Sequence, residues 1–216
     1  MKGLLFKPWK AQAIHESNPD IEWQTRRRIK PQPKIIHEIF TYQEVMYVQT
    51  EMLERDKNLL NGCIKCPYSV GEQVYIKETH RIINGDGNPN DFGVEYKSGQ
   101  INWWRDNGGR FNYPIDEKWR SSLFLPADLA RTVVTITDIQ AQRVQDISEK
   151  DAIAEGLVYN AFWDMWESPI HPGHYIDWYK SAFRLLWDSI HGEGAWLRND
   201  FVWKYSFIRR EHETTE

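Results

Sequence analysis

Cysteine is almost missing from this chain. Its 216 residues hold two, Cys63 and Cys66, in a single Cys-x-x-Cys. A four-ligand zinc site takes a second such pair or a spaced pair of histidines, and the flanking His37 and His80 provide neither. The two are read as reduced thiols in a turn ahead of Pro67. No apolar stretch approaches the ~20 residues of a membrane-spanning helix, and even 121–130 is interrupted by Pro126 and Asp128. Near Met1 the apolar run covers only Leu4 to Phe6, against the ~7 to 15 residues of a secretory signal. A cytoplasmic protein with no membrane partner is expected. Neither sign of charge dominates, with 27 Lys and Arg against 31 Asp and Glu and a net charge of −4. That excludes a uniformly basic nucleic-acid coat and leaves a local basic patch open, because a partner feels the field of one face. The absence of repeats, low-complexity tracts and a nucleotide-type glycine fingerprint removes solenoids and Rossmann or P-loop enzymes.

Aromatic residues are abundant: 11 Trp, 10 Tyr and 9 Phe supply enough bulky apolar surface for a sizeable core. The patterning predicts a short strand over 4–7 stopped by Pro8, then a helix over 9–16 with Ala11, Ala13 and Ile14 available for packing. Val45, Tyr47 and Gln49 alternate like a strand while 52–60 reads more helically, so 42–60 is left open. Gly71 and the alternation over 72–79 predict a strand with Val74 and Ile76 on one face. Glycines and asparagines crowd 81–123, which reads as an insertion or long loop excursion with a hairpin through 94–104. The β-branched run 131–142 predicts a strand. Ser148 with Asp151 forms a capping-box pattern for a short helix ended by Gly156. A longer helix is predicted over 177–191, with Tyr179, Ala182, Phe183, Leu186 and Ile190 as its core stripe and Gly192 as its stop. A last strand over 202–208 precedes a polar tail at 209–216, expected to be frayed.

The best electrostatic feature is the stretch from Thr25 to Lys34, with five positive charges, no acid and two prolines that favour an extended path. Alone, such a run is most simply a solvated loop. Flanked by Trp9 and Trp23 it points to nucleic acid, since arginines hold phosphates while aromatic rings stack on bases. Trp187 and Trp203 are read as core. His171 and His174, with no acidic or thiol partner at useful spacing, are read as loop histidines, and no metal or other cofactor is expected.

In order along the chain, Phe6-Lys7-Pro8-Trp9-Lys10, Gln24 to Pro33, Cys66-Pro67-Tyr68, Gly71 to Thr79, Asp146 to Gly156, Leu186 to Gly192 and Trp203 to Phe207 resemble the ASCH domain family of the PUA-like superfamily, in particular a phage-associated branch. The resemblance covers nearly the whole chain and is poorest over 81–123. It implies an α+β fold: one PUA-like domain over 1–216, a partly closed mixed β-barrel with flanking helices, carrying one insertion. In such folds a cleft takes RNA or a modified base.

Within the family, some members resemble amidohydrolases that deacylate N4-acylated cytidine with a lysine, a threonine and a glutamate. Carried over position by position, the threonine falls on Thr25, the motif arginine on Arg27 and the glutamate on Glu155. The lysine falls on Glu22 and the motif glycine on Asp20. An anionic Glu22 repels the oxyanion that acyl transfer must stabilise, so Lys10 or Lys77 is the candidate replacement amine. The resulting ligand-binding set is Trp9, Lys10, Trp23, Thr25, Arg26, Arg27, Arg28, Lys77, Glu78 and Glu155, with Thr25 and Glu155 catalytic if the protein is an enzyme. Glu78 accepts from a ligand or pairs with Lys77 or Arg27. The expected partner is RNA, another single-stranded nucleic acid or a modified nucleoside. The alternatives are an amidohydrolase or other nucleic-acid-processing hydrolase, and a phage interaction protein whose basic loop meets an acidic host partner.

Overall fold

The structure is a computed structural model that describes residues 1–50, 62–85, 91–105 and 115–210. The helical pattern at 52–60 and the tail beyond 210 lie outside the described residues. The fold is mixed α+β: mostly strands, in several sheets, with few helices, and no closed barrel among the described residues. The chain divides into two compact units, one built from 1–21, 73–134 and the stretch from Arg209, the other from 22–72 and 135–208.

In the first unit, the strand Lys2–Leu5 runs parallel to the strand Gln73–Lys77, Leu4 beside Ile76. Pro8 opens the helix Pro8–Glu16, a position where its missing N–H costs nothing because no helical acceptor precedes it. Ala11 and Ile14 are fully buried from this helix. Alternation over 73–77 suggested one buried face, yet Val74, Tyr75 and Ile76 are all buried, and the Tyr75 hydroxyl donates to the Leu125 carbonyl at 3.3 Å. The hairpin expected through 94–104 is formed by the strands Asp91–Tyr96 and Ile101–Arg105. A third strand, His80–Asn84, pairs antiparallel with the first of these. Ile82, Phe92, Val94, Tyr96, Leu125 and Leu129 pack into one buried cluster, so the glycine-rich 81–123 region contributes a three-stranded sheet to an apolar core it shares with Leu125 and Leu129.

In the second unit, the strand Glu22–Arg28 pairs antiparallel with the strand Phe201–Arg209, placing Trp23 beside Phe207, Thr25 beside Tyr205, Arg26 beside Lys204 and Arg27 beside Trp203. The extended path anticipated for the arginine run is therefore a β-strand up to Arg28, satisfied by cross-strand hydrogen bonds. The strand expected over 131–142 spans Val133–Arg143, and Ile136 in it exchanges hydrogen bonds with the 71–72 turn, its N–H reaching the Glu72 carbonyl at 3.0 Å. Gly71 sits in that turn at φ +81°, a conformation a side chain resists. Ser148 caps the helix Glu149–Ala154 through a reciprocal bond pair with Asp151, and Gly156 leaves it at φ +105°. The helix Tyr179–His191 buries Ala182, Phe183, Leu186 and Trp187. Ile190, expected on the core stripe, is 40% exposed, because the face is set by the turn Ala195–Arg198 packed against the helix, whose Trp196 meets Phe183 at 6.0 Å. Two antiparallel three-stranded sheets complete the unit, one over Glu38–Tyr42, Val45–Gln49 and Cys63–Lys65, the other over Val158–Asn160, Met165–Glu167 and Tyr175–Ile176.

Candidate functional site

Of the ten residues singled out from the sequence, six fall in the second unit and sort themselves by strand pleat. Side chains alternate along a strand, so Trp23, Thr25 and Arg27 share one face of Glu22–Arg28 while Gln24, Arg26 and Arg28 share the other. The even face lies against the helix Glu149–Ala154. There the Arg26 guanidinium is fully buried, with Nη1 donating to Glu155 Oε1 at 3.1 Å and Nη2 to Asp151 Oδ2 at 2.9 Å. Lys204, opposite Arg26 on the neighbouring strand and 8% exposed, holds its Nζ 3.6 Å from Asp151 Oδ1. Arg28 Nε lies 2.7 Å from Asp200 Oδ2.

The acids paired with Arg26 and Arg28 therefore come from residues 151, 155 and 200, too far along the chain for a local reading of charge to find. Burial pushes the Asp151 carboxyl upward, but Arg26, the Ser148 N–H, Lys204 and Gln24 together hold it below its ordinary value.

The odd face keeps more of its chemistry accessible. Thr25 is buried, while Trp23 and Arg27 are half-buried. Desolvation of the Arg27 guanidinium lowers its pKa against the opposing pull of Glu155, Tyr68 and Tyr205. Tyr205 has its own hydroxyl 3.4 Å from the Cys66 thiol, and burial first, then Cys66, drive its phenol upward. Tyr68 packs edge-on against Tyr205 with ring centroids 5.3 Å apart. Cys66, read from sequence as a reduced thiol, thus lies beside Tyr205, the cross-strand neighbour of Thr25. The cross-strand partners Tyr205 and Trp203 were legible in the sequence as strand aromatics but carried no sign of this neighbourhood.

The remaining four lie in the first unit. Trp9 is half-buried in the helix Pro8–Glu16. Lys10, one position on, is 5% exposed, with its ammonium 5.6 Å from the Phe6 ring centroid. Lys77 donates from Nζ to the Leu123 carbonyl at 2.9 Å. Glu78 pairs with neither Lys77 nor Arg27. Its two oxygens accept from Arg131 Nη2 at 2.6 Å and Nε at 2.8 Å, in a buried two-pronged ion pair. Arg131 is also bound by Gln100, Gln12 and Ser98, which marks the pair as the centre of a hydrogen-bonded frame.

A separate cleft of about 400 Å³ lies in the second unit between Gln145, Asp146, Trp178, Lys180, Ser181, Arg184, Trp196 and Asn199. His171 and His174 lie in an exposed turn with ring centroids 6.5 Å apart, and no group of three or more His, Cys, Asp or Glu side chains placed to hold a metal occurs among the described residues. No described helix is long and apolar enough to cross a membrane. No family model, no curated protein and no solved structure matches this chain.

Proposed function

We propose that this chain is a nucleic-acid-binding protein of the PUA-like ASCH type that takes RNA or a modified nucleobase. The observation that carries the reading is the odd face of Glu22–Arg28. It offers a half-buried indole at Trp23 and, two positions on, a half-buried Arg27 whose guanidinium is desolvated. An aromatic ring beside an arginine is the arrangement that stacks a base and holds its phosphate or its acceptor edge. The convergence of Arg26 on Glu155 across 129 residues agrees with the resemblance, which draws the strand and the short helix into one site. Trp9 belongs to the proposed ligand-binding set as an aromatic flanking the basic run, and Lys10 and Lys77 as the amines that the resemblance makes candidates; Glu78, both of whose oxygens accept from Arg131, is left out of it.

The test is affinity for a panel of short single-stranded RNA and DNA as a function of salt. Arg27→Ala is expected to weaken binding and to reduce the salt slope by about 1, the loss of one phosphate contact. Arg27→Lys, which keeps the charge and the bulk of the stem, is expected to retain the slope and lose affinity. Unchanged affinity and slope in both variants overturn the reading.

An amidohydrolase is the second reading, and one observation favours it. Lys204 brings a nearly buried amine to the helix that carries Glu155, supplying from a neighbouring strand what Glu22 does not. Release of acetate from N4-acetylcytidine, lost in both Lys204→Met and Glu155→Gln while the fold is retained, supports it. No release by the wild-type protein sinks it.

A further inference from the structure

The cleft lined by Trp178, Trp196, Lys180, Arg184, Asp146 and Asn199 shares no residue with the Trp23, Thr25 and Arg27 face. Its volume, about 400 Å³, falls in the ~300 to 1,000 Å³ range of small-molecule sites. Its walls are fixed. The Gln145 side chain donates to the Trp196 carbonyl at 2.9 Å, the Gln145 N–H to Asn199 Oδ1 at 3.1 Å, and the Trp196 N–H to Asp188 Oδ1 at 2.7 Å. Lys180 Nζ is tethered to the Gln145 carbonyl at 2.9 Å, which holds its charge at the cleft instead of leaving it to sweep through solvent.

Two features of this wall work against stability and call for a ligand. Trp178 leaves 54% of its surface in water. Lys180 and Arg184 stand one helical turn apart on the same face, a like-charge spacing that an isolated helix disfavours. Among the described residues Arg184 is ion-paired with Asp188, 3.6 Å away, and its side chain stays half exposed. An exposed ring beside two cations in a preformed cleft suits a flat, electron-rich ring carrying a phosphate. Asp146, on the cleft lining, disfavours a second phosphate and suits the donor groups of a sugar or base.

We infer that this cleft is a second binding site, for a nucleoside monophosphate unit, with the base on Trp178 and the phosphate on Arg184 and Lys180. That unit is either a free mononucleotide or one residue of a single strand. The inference stands independently of the Arg27 face.

The test follows the indole N–H resonances of the full chain by NMR while adenosine 5′-monophosphate, adenosine, inorganic phosphate or a short single-stranded oligoadenylate is added. The monophosphate is expected to move one indole resonance, identified by its absence in Trp178→Phe. Arg184→Gln is expected to weaken the monophosphate about tenfold and leave adenosine unchanged. Trp178→Ala weakens both. Both side chains are half exposed, and circular dichroism checks that the variants fold. A monophosphate that binds as tightly as the oligoadenylate identifies the free nucleotide as the source. A tighter oligoadenylate whose affinity falls in Trp178→Ala identifies the strand. The inference is overturned if neither probe binds, or if binding is unaltered in both Trp178→Ala and Arg184→Gln. If oligoadenylate binding is lost in Arg27→Ala and untouched in the cleft variants, and the monophosphate does not bind, the Arg27 face survives and the cleft does not. The converse result removes the Arg27 face alone.

Discussion

Arg26 and Glu155 stand 129 residues apart in the chain and meet through Nη1 and Oε1 at 3.1 Å, with the arginine side chain out of contact with solvent. Asp151 completes the arginine's pairing on its other nitrogen. Removing one member of a buried ion pair strands the other's charge in a poorly solvated place, which costs about 3–5 kcal/mol. Arg26→Ala is therefore expected to lower the free energy of unfolding by about that much, read from the urea midpoint at unchanged slope. Adding Glu155→Gln to the variant removes one stranded charge and is expected to recover part of the loss. If the double variant is no more stable than Arg26→Ala, the pairing is not what fixes the strand to the helix.

Asp151 also closes the capping box of the short helix, receiving the Ser148 N–H while its own N–H reaches Ser148 Oγ at 3.1 Å. Ser148→Ala deletes one of these bonds and leaves a helix N–H without its cap, at about 1 kcal/mol. Because the folded carboxyl of Asp151 is held below its ordinary value, its contribution is complete above the unfolded value near 3.8 and disappears as the pH falls below it. Urea titrations of wild type and Asp151→Asn between neutral pH and acid are expected to differ most at neutral pH and to converge on acidification. Parallel curves would show that Asp151 carries no linked charge.

His191 closes the last turn of the helix Tyr179–His191 with its ring 4.0 Å from that of Trp187, centroid to centroid. Burial, then the charges of Arg28 and Arg27, with Arg198 behind, lower its pKa to about 4 against the pull of Asp200. The unfolded chain takes up this proton near 6.5. Stability linked to His191 is thus complete above about pH 6.5 and is lost as the pH falls toward about 4. His191→Gln is expected to flatten the stability profile in that window. An imidazole resonance titrating near 6.5 in the folded protein would contradict the assignment.

The capping box shows what sequence could reveal. Ser148, Asp151 and Gly156 sit within a few positions of one another, and the same local chemistry that identified the short helix builds it. The arginine run shows what sequence could not. Five cations without a neighbouring acid look like a solvated loop, yet two of them, Arg26 and Arg28, find their counterions at 151, 155 and 200 through strand pairing and helix packing. The long helix falls between these cases. Its 3.6-residue stripe and the core position of Trp187 were legible, but not that Ile190 stays 40% exposed beside the turn Ala195–Arg198 packed on the helix. Over 81–123 the alternation announced a hairpin, but not the third strand His80–Asn84 nor the packing of Phe92, Val94 and Tyr96 with Ile82, Leu125 and Leu129, which comes from other parts of the chain.

Glu78 and Arg131 extend the argument to the other unit. Both are about 2% exposed, and the guanidinium lies over the Tyr96 ring at 4.4 Å from its centroid, while the Tyr96 hydroxyl donates to the Leu129 carbonyl at 2.6 Å. A ligand contact at Glu78 requires that it leave Arg131, and a purely structural pair has no reason to do so. Glu78→Gln keeps the shape and removes the charge, stranding a buried guanidinium at about 3–5 kcal/mol. Arg131→Met at the same time fills similar volume with no charge, and such replacements of buried pairs are often neutral to stability. The double variant is expected to regain most of the stability that Glu78→Gln loses, with nucleic-acid affinity equal to wild type. A double variant that folds as well as wild type but binds RNA more weakly would instead place Glu78 among the residues that touch the ligand.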